Sequence, residues 1–328
     1  MLVEEVKKNT FNLGLYQKVC ATAQSVGMKD HIFVADNEWM EHTDNLIKSR
    51  TNEINQSLQV AKASVNKEEM RRAYMEKGKL LQKQGEVVEA GKIFSRCRDF
   101  MTTAAHSSEI SMTIAISALD LGNYQLAYQW TNRIDMNISN TYKNKCRAVL
   151  GIVLMNEGEF KAAAREFTDI DSSIIGTFRE VISGEDIATY GALCTIASSS
   201  HADVQNFAQS RRFKPMLELV PDLRQILQNY SPSNAGAMLQ WLYSKKVELA
   251  LDIHLKDMVD KLISTITDRL LLQYFKPYRS VTIQSMSENM GMSVDALEAK
   301  LAALAEAEAA AEAEAEAAAA RFKADADA

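Results

Sequence analysis

The sequence predicts a mainly α-helical chain built from repeated helix pairs. Three observations carry that reading. Glycine and proline together supply 17 of 328 residues, about 5% against a usual share of roughly 12%. A sandwich or barrel needs turn residues every ~8–12 positions, so an all-β class is excluded, as are collagen-like and proline-rich disordered classes. The apolar share of 47% is enough for one large core or two smaller ones. Finally, a glycine-anchored pattern recurs at a spacing of 37 and then 36 residues.

The elements follow in chain order. Residues 38–70 are rich in charge and amide, and the apolar series Leu46, Ile54, Leu58, Ala61 predicts one long exposed helix. The stretch KASVNKEE at 62–69 predicts a break, with a helix from Arg71 to about Gln84 after it.

Three repeats come next: GEVVEAGKIFSRCRDF from Gly85, GNYQLAYQWTNRIDM from Gly122 and GEFKAAAREFTDID from Gly158. In each, an alanine sits five residues on (Ala90, Ala127, Ala163), and a bulky residue eight or nine on (Phe94, Trp130, Phe167). Glycine permits the left-handed cap that ends one helix. The small alanine lets two helices approach, and the bulky side chain fills the space between repeats. This is the spacing of tetratricopeptide-like helical repeats, which stack into a solenoid because no single pair buries its own apolar face.

All four prolines, Pro215, Pro221, Pro232 and Pro277, lie beyond residue 214. Pro221 suits the first turn of a helix, and Pro232 marks a boundary. Leu251, Leu255, Val259, Leu262, Ile266 and Leu270 are spaced 4, 4, 3, 4 and 4 apart, predicting a continuous helix of about five turns. Pro277 stops it. Val281 and Ile283 then alternate across Thr282 like a short strand. Ile283, Met286 and Met290 take helical spacing, Gly291 makes a turn, and Ser293 caps a helix that buries Leu297, Leu301 and Leu304. Strand, helix, turn and helix open a winged helix-turn-helix.

The formal charge is −6, of which −5 belongs to residues 301–328. The rest of the chain is nearly neutral, so bulk attraction to nucleic acid or an anionic membrane is not expected. Cys20, Cys97, Cys146 and Cys194 are widely spaced and read as buried thiols in a reducing compartment. The start of the chain carries no apolar core of a secretory signal, and no apolar run reaches the ~18 residues of a spanning helix.

The order of helical repeats, proline-marked bundle and winged helix resembles the PCI family, the scaffold subunits of the COP9 signalosome, the proteasome lid and translation initiation factor 3. The stretches KKNTFNLGLYQKV (7–19), SRCRDFMTTAAH (95–106), GEDIATYGALCTIAS (184–198), PMLELVPDLRQIL (215–227), LALDIHLKDMVDKL (249–262) and LLQYFKPYRSV (271–281) carry the resemblance. They are more similar to a signalosome scaffold subunit than to its proteasome-lid paralogue, above all around ATYGALC and LDIHL. The resemblance covers about residues 1–303, and members of that family extend further at both ends.

It implies N-terminal helices over 1–70, tetratricopeptide-like repeats over 71–200, a PCI helical bundle over 201–276 and a winged-helix segment over 277–308. Residues 309–328 form an Ala/Glu-rich tail, read as helical or as artificial sequence. The family continues into a β-hairpin wing and a terminal helix. Residues 301–328 hold 16 alanines, 5 glutamates and no β-branched residue, so they lack the strand propensity of a wing.

No catalytic motif appears. The two-histidine zinc motif of the signalosome's catalytic partner is missing, and His31, His42, His106, His201 and His254 lie more than ten residues apart. His254 reads as a hydrogen-bonded packing residue, and Cys194 as buried. Glycine-rich phosphate loops and the GxSxG elbow are absent. The second helix of the winged segment carries Asp295, Glu298 and Glu306 against Lys300, the wrong sign for phosphate contact. The pairs Arg211–Arg212 and Lys245–Lys246 read as surface ion pairs.

The resemblance therefore implies a non-catalytic scaffold, without cofactor or metal. Its setting would be a complex of nucleus and cytoplasm that removes Nedd8 from cullin-RING ubiquitin ligases. Its partners would be other PCI subunits and cullin-RING ligases, with no nucleic acid or membrane, and the isolated chain would self-associate through a vacant edge. Tyr278, Arg279, Ser280, Val281 and Thr282, beside the first strand of the winged segment, are the candidate interface, pairing through an exposed sheet edge. A proteasome-lid scaffold and a winged-helix nucleic-acid binder are the alternatives.

Overall fold

A computed structural model describes residues 2–27, 35–135, 139–231 and 235–306, and every regular element among them is a helix. The chain divides into two compact units, Met1–Val153 and Leu154–Ala328.

The first unit holds α1 (Leu2–Asn9), α2 (Leu13–Ser25), α3 (Asn37–Ala63), α4 (Lys67–Gln84), α5 (Val87–Cys97), α6 (Ala104–Asp120) and α7 (Tyr124–Thr131); α8 (Asn140–Glu157) crosses the division. Short polar side chains start most of these helices. Asn12, Asp36, Asn66, Thr103 and Asn123 each accept a hydrogen bond from a first-turn amide, satisfying donors the helix itself leaves unpaired. The long exposed helix is α3, and the break after it narrows to 64–66. There Val65 takes a left-handed φ of +52°.

The three repeat glycines share one geometry. Gly85, Gly122 and Gly158 have φ of +84°, +69° and +88°. The residue after each donates to the carbonyl five positions back: Glu86 to Leu81, Asn123 to Ala118 and Glu159 to Leu154, at 2.8–3.0 Å. This is the two-bond cap that lets a helix reverse direction within three residues. A new helix opens two residues after each glycine, at Val87, Tyr124 and Phe160.

Ala90, Ala127 and Ala163 are fully buried, as are Phe94 and Phe167. Trp130 is half-buried against the cluster of Met75, Phe94 and Ile110, with the Arg133 guanidinium 4.4 Å from its ring centroid. Phe94 fits because α4 carries Gly78, where a Cβ would stand 2.2 Å from the ring.

The second unit holds α9 (Phe160–Thr168), α10 (Gly184–Ser198), α11 (His201–Gln209), α12 (Lys214–Leu217), α13 (Pro221–Gln228), α14 (Ala235–Ala250), α15 (Val259–Phe275) and α16 (Ile283–Met290), followed by α17 over 294–306. Helix α10 is its axis. Ten of its residues, from Ile187 to Ala197, are buried, and α9, α11, α12 and α15 pack around it. Such a helix is apolar on all sides. Its start is fixed by Ser183 and Asp186, each bonding the other's backbone amide. Gly191 gives α10 its close approach to Phe167 and Phe213. Pro221 occupies the first turn of α13 as its residue type requires.

Two sequence expectations need correction. The apolar series from Leu251 to Leu270 is not one continuous helix: α14 ends at Ala250, residues 251–258 are turns, and α15 starts at Val259. Asp252 Oδ1 accepts from the amides of His254 (2.8 Å) and Leu255 (3.1 Å), a local bond that competes with the helical ladder. Leu251 consequently lies exposed. The second correction concerns Val281–Ile283, which is not a strand. Thr282 is extended, its side chain accepts from Ser285 N, and Ile283 is already the first residue of α16. What reads as β-alternation is a helix cap. Pro232 and residues 309–328 lie outside the described residues.

Candidate protein-interaction surface

The candidate interface is built by the way α15 ends. Its last turn closes with Lys276 N bonded to Leu272 O and Tyr278 N to Phe275 O, and Pro277 prevents a further turn. The Tyr278 ring packs 5.5 Å from Tyr274 yet stays 48% exposed. Arg279, Ser280 and Thr282 are exposed and Val281 is half-buried. Leu272, Phe275 and Ile283 add exposed apolar area around the same corner. The five residues thus form an accessible linker. Among the described residues no strand accompanies them, so a sheet edge is not what they present.

Behind the linker, α16 and α17 form the helix–turn–helix. Gly291 takes φ +65°, and Ser293 Oγ accepts from Ala296 N. Met286, Met290 and Leu297 are buried, while Ile283 is not. Asn289 Nδ2 donates to the Tyr274 hydroxyl at 3.0 Å, tying α16 to α15. Against α14 the approach is tighter: a Cβ on Gly236 would stand 2.2 Å from the Asn289 carbonyl oxygen. Lys300, the one described cation of α17, is engaged by Asp268 and by Ser264 Oγ (2.8 Å). The second helix therefore offers acidic side chains and no free cation among its described residues.

A second feature ties the unit together. The Tyr190 hydroxyl donates to both carboxylate oxygens of Asp252, at 2.7 and 2.8 Å. Burial first, then the Asp252 charge, push the Tyr190 phenol well above its ordinary range. His254 Nε2 donates to Val181 O at 3.0 Å, and Asn156 Nδ2 donates to His254 O. His254 is the packing residue its sequence context predicted. ATYGALC and LDIHL are separate stretches of the sequence, and the structure joins them through Tyr190 and Asp252. The close-contact glycines Gly78, Gly191 and Gly236 were also missed, because nothing in a local pattern distinguishes them from Gly91, which has open space around it.

No group of three or more His, Cys, Asp or Glu able to hold a metal occurs among the described residues; His31 lies outside them. His201 stacks on Tyr230, and His106 approaches Glu68 at 3.8 Å. All four cysteines are buried and unpaired. Burial pushes the thiols of Cys97 and Cys146 up to about 11 and about 12, and that of Cys194 higher still, a direction that disfavours the thiolate at these three positions. Of the basic pairs, Arg212 meets Asp169, Lys245 meets Glu248 and Lys246 meets Asp260. No described helix is long and apolar enough to cross a membrane.

Comparison with known proteins gives the arrangement its relatives. The family model described as 26S proteasome subunit RPN7 matches residues 36–206, and the PCI domain model matches 225–309. COP9 signalosome complex subunit 1 of Arabidopsis thaliana is 30% identical over 309 residues, covering 93% of this chain and 69% of the relative. The subunit 1 of Emericella nidulans is 28% identical over 77% of this chain and 52% of its own length; that of Schizosaccharomyces pombe is 23% identical over 93% and 71%. The 26S proteasome non-ATPase regulatory subunit 6 homolog of Arabidopsis thaliana is 23% identical over 49% of this chain and 41% of its own length.

Proposed function

This chain belongs to the family that joins 26S proteasome subunit RPN7 and COP9 signalosome complex subunit 1, with a PCI domain in its C-terminal part; from that premise we propose that it is a non-catalytic scaffold subunit of a COP9-signalosome-like complex. The complex removes Nedd8 from cullin-RING ubiquitin ligases, with the hydrolysis carried out by a separate metalloprotease subunit. The observation that carries the reading is coverage: similarity to signalosome subunit 1 runs through 93% of the chain, against 49% for the proteasome relative. The chain's part is geometric. Stacked helix pairs offer side-chain surfaces to a partner, and the linker at 278–282, beside the docked α16–α17 pair, meets a neighbouring PCI subunit. The work is done in nucleus and cytoplasm.

The test is affinity purification of the tagged chain from its native cells. Signalosome subunits and cullins are the expected companions; 26S particles would replace the reading by the lid alternative. A Val281→Glu variant tests the interface. Loss of co-purifying subunits at an unchanged melting temperature supports it, and full retention of them refutes it. Neddylated cullin processed by the purified chain alone would overturn the non-catalytic assignment.

A further inference from the structure

A cleft of about 640 Å³ lies between the start of α11 and the second half of α15. Its lining includes Arg269, Lys276, His201, Gln273, Leu272 and Pro277, and no carboxylate. The wall is held in place. Arg269 Nε donates to Ser199 O at 2.8 Å, and Gln273 Nε2 reaches the same oxygen. The Tyr230 hydroxyl donates to Gln273 Oε1, and the His201 ring is bonded to Tyr230 O.

Neither cation is hydrogen-bonded to a carboxylate among the described residues, although the Asp203 charge bears on Arg269 from a distance. Arg269 spends only its Nε, and its two terminal amino groups bond nothing among the described residues. Lys276 makes no ion pair there. Asp268 is paired with Lys300, while Asp203, held by the Ser200 hydroxyl, keeps its charge and does not reach the Arg269 fork. Leu272, 58% exposed, and Pro277 supply an apolar lip.

We infer that this cleft docks an acidic segment of a partner protein, with one carboxylate on the Arg269 fork, a second near Lys276 and an aliphatic side chain on Leu272. A guanidinium with both terminal amino groups open presents the geometry that takes a carboxylate bidentately. A protein segment fits better than nucleic acid: two cations and an apolar lip suit carboxylates interleaved with aliphatic residues, and the near-neutral body supplies no long phosphate track. The inference goes beyond the assembly reading. It concerns the isolated chain, so its failure leaves subunit co-purification standing, and the reverse also holds.

The test is fluorescence anisotropy with the full chain and a labelled heptapeptide, Leu-Glu-Glu-Leu-Asp-Glu-Leu, blocked at both ends. Its Gln/Asn isostere and a twelve-residue oligothymidylate serve as comparisons. Saturable binding below about 1 mM is expected, weakening as salt rises from ~50 to ~300 mM. Lys276→Glu and Leu272→Ser, both at exposed positions, should each weaken it by about tenfold or more while circular dichroism stays unchanged. Should either variant alter the fold, Lys276→Gln takes its place. The inference is overturned by no saturation, by equal binding of the neutral isostere, by binding that neither variant weakens, or by displacement of the peptide by the oligonucleotide.

Discussion

Gly236→Ala is the sharpest test of how the C-terminal helices are held. Gly236 is the second residue of α14, and the Cβ added there would meet a backbone oxygen, Asn289 O, at 2.2 Å. Ordinary contact begins more than 1 Å further out, and a main-chain carbonyl cannot rotate away as a side chain would. Either α16 moves off α14 or the backbone strains. Overpacking of this kind costs about 1–3 kcal/mol. The propensity gain of alanine over glycine, up to ~1 kcal/mol in a helix interior, is smaller in the first turn. The net expectation is a loss of about 1–2 kcal/mol, or a factor of about 5–30 in the population that has opened. Because Met286, Met290 and Leu297 are what the docking buries, opening is expected to be local to α16 and α17. Hydrogen exchange followed by mass spectrometry reads this directly: amides of 283–306 should exchange about 5–30 times faster, with α10 unchanged. Gly91→Ala is the matched control. Gly91 lies inside α5 with nothing within 4 Å of the added atom, so it should stabilise by about 0.5–1 kcal/mol. Unchanged protection over 283–306 in Gly236→Ala would refute the close-approach argument.

The other predictions concern single interactions. Val65 is 74% exposed and held at φ +52°, a conformation that is strained for a β-branched residue; Val65→Gly should raise stability by roughly 0.5–1 kcal/mol in urea unfolding, and a loss would show the strain to be imaginary. The Glu68 carboxyl is held down to about 2 from 4.5, chiefly by Arg71 and also by Arg72. A depressed carboxylate contributes its full stability above pH 4.5 and loses it as pH falls toward 2, so Glu68→Gln should flatten the acid limb of the stability profile; an unchanged limb would count against the ion-pair cluster. Tyr190→Phe removes two bonds to the Asp252 carboxylate and should cost about 1.5–3 kcal/mol, with faster exchange over 251–258; a wild-type urea midpoint would rule out that tether.

What the sequence made legible was whatever a local pattern encodes. Gly85, Gly122 and Gly158 announce themselves because the cap they make is short-range: the glycine and the carbonyls three and four residues before it lie within about one turn. Ala90, Ala127 and Ala163 follow in phase, and each is fully buried in the structure. Ser293 as a cap, and Pro221 in a first turn, were legible for the same reason. The long-range contacts were not. Gly78 and Gly91 sit in similar helical contexts, yet one faces Phe94 and the other open space. Only the packed arrangement separates them. The cleft between α11 and α15 is likewise invisible in sequence, because Ser199, Tyr230 and Arg269 are brought together from three separate segments.

The two misread elements share one physical cause. Periodicity counts apolar residues, and at 251–258 and 281–283 it is polar side chains that decide the backbone. Asp252 offers its carboxylate to the amides two and three residues on, at 2.8 and 3.1 Å, which replaces the helical bonds that the leucine spacing seemed to demand. Thr282 captures Ser285 N and turns an apparent strand into the start of α16. An aspartate inside an apolar helical stripe is a weak signal by itself, since exposed acids are common on helices. It becomes decisive when a buried donor elsewhere is matched to it, and that donor is Tyr190, in the other stretch that most separates the signalosome subunit from its lid paralogue. A buried phenol needs an acceptor, and a carboxylate that breaks a helix needs a reason to stay put; each supplies the other's. The two segments singled out as sequence are thus joined by one interaction, and substitutions at either end should be read as a pair in a double-mutant cycle.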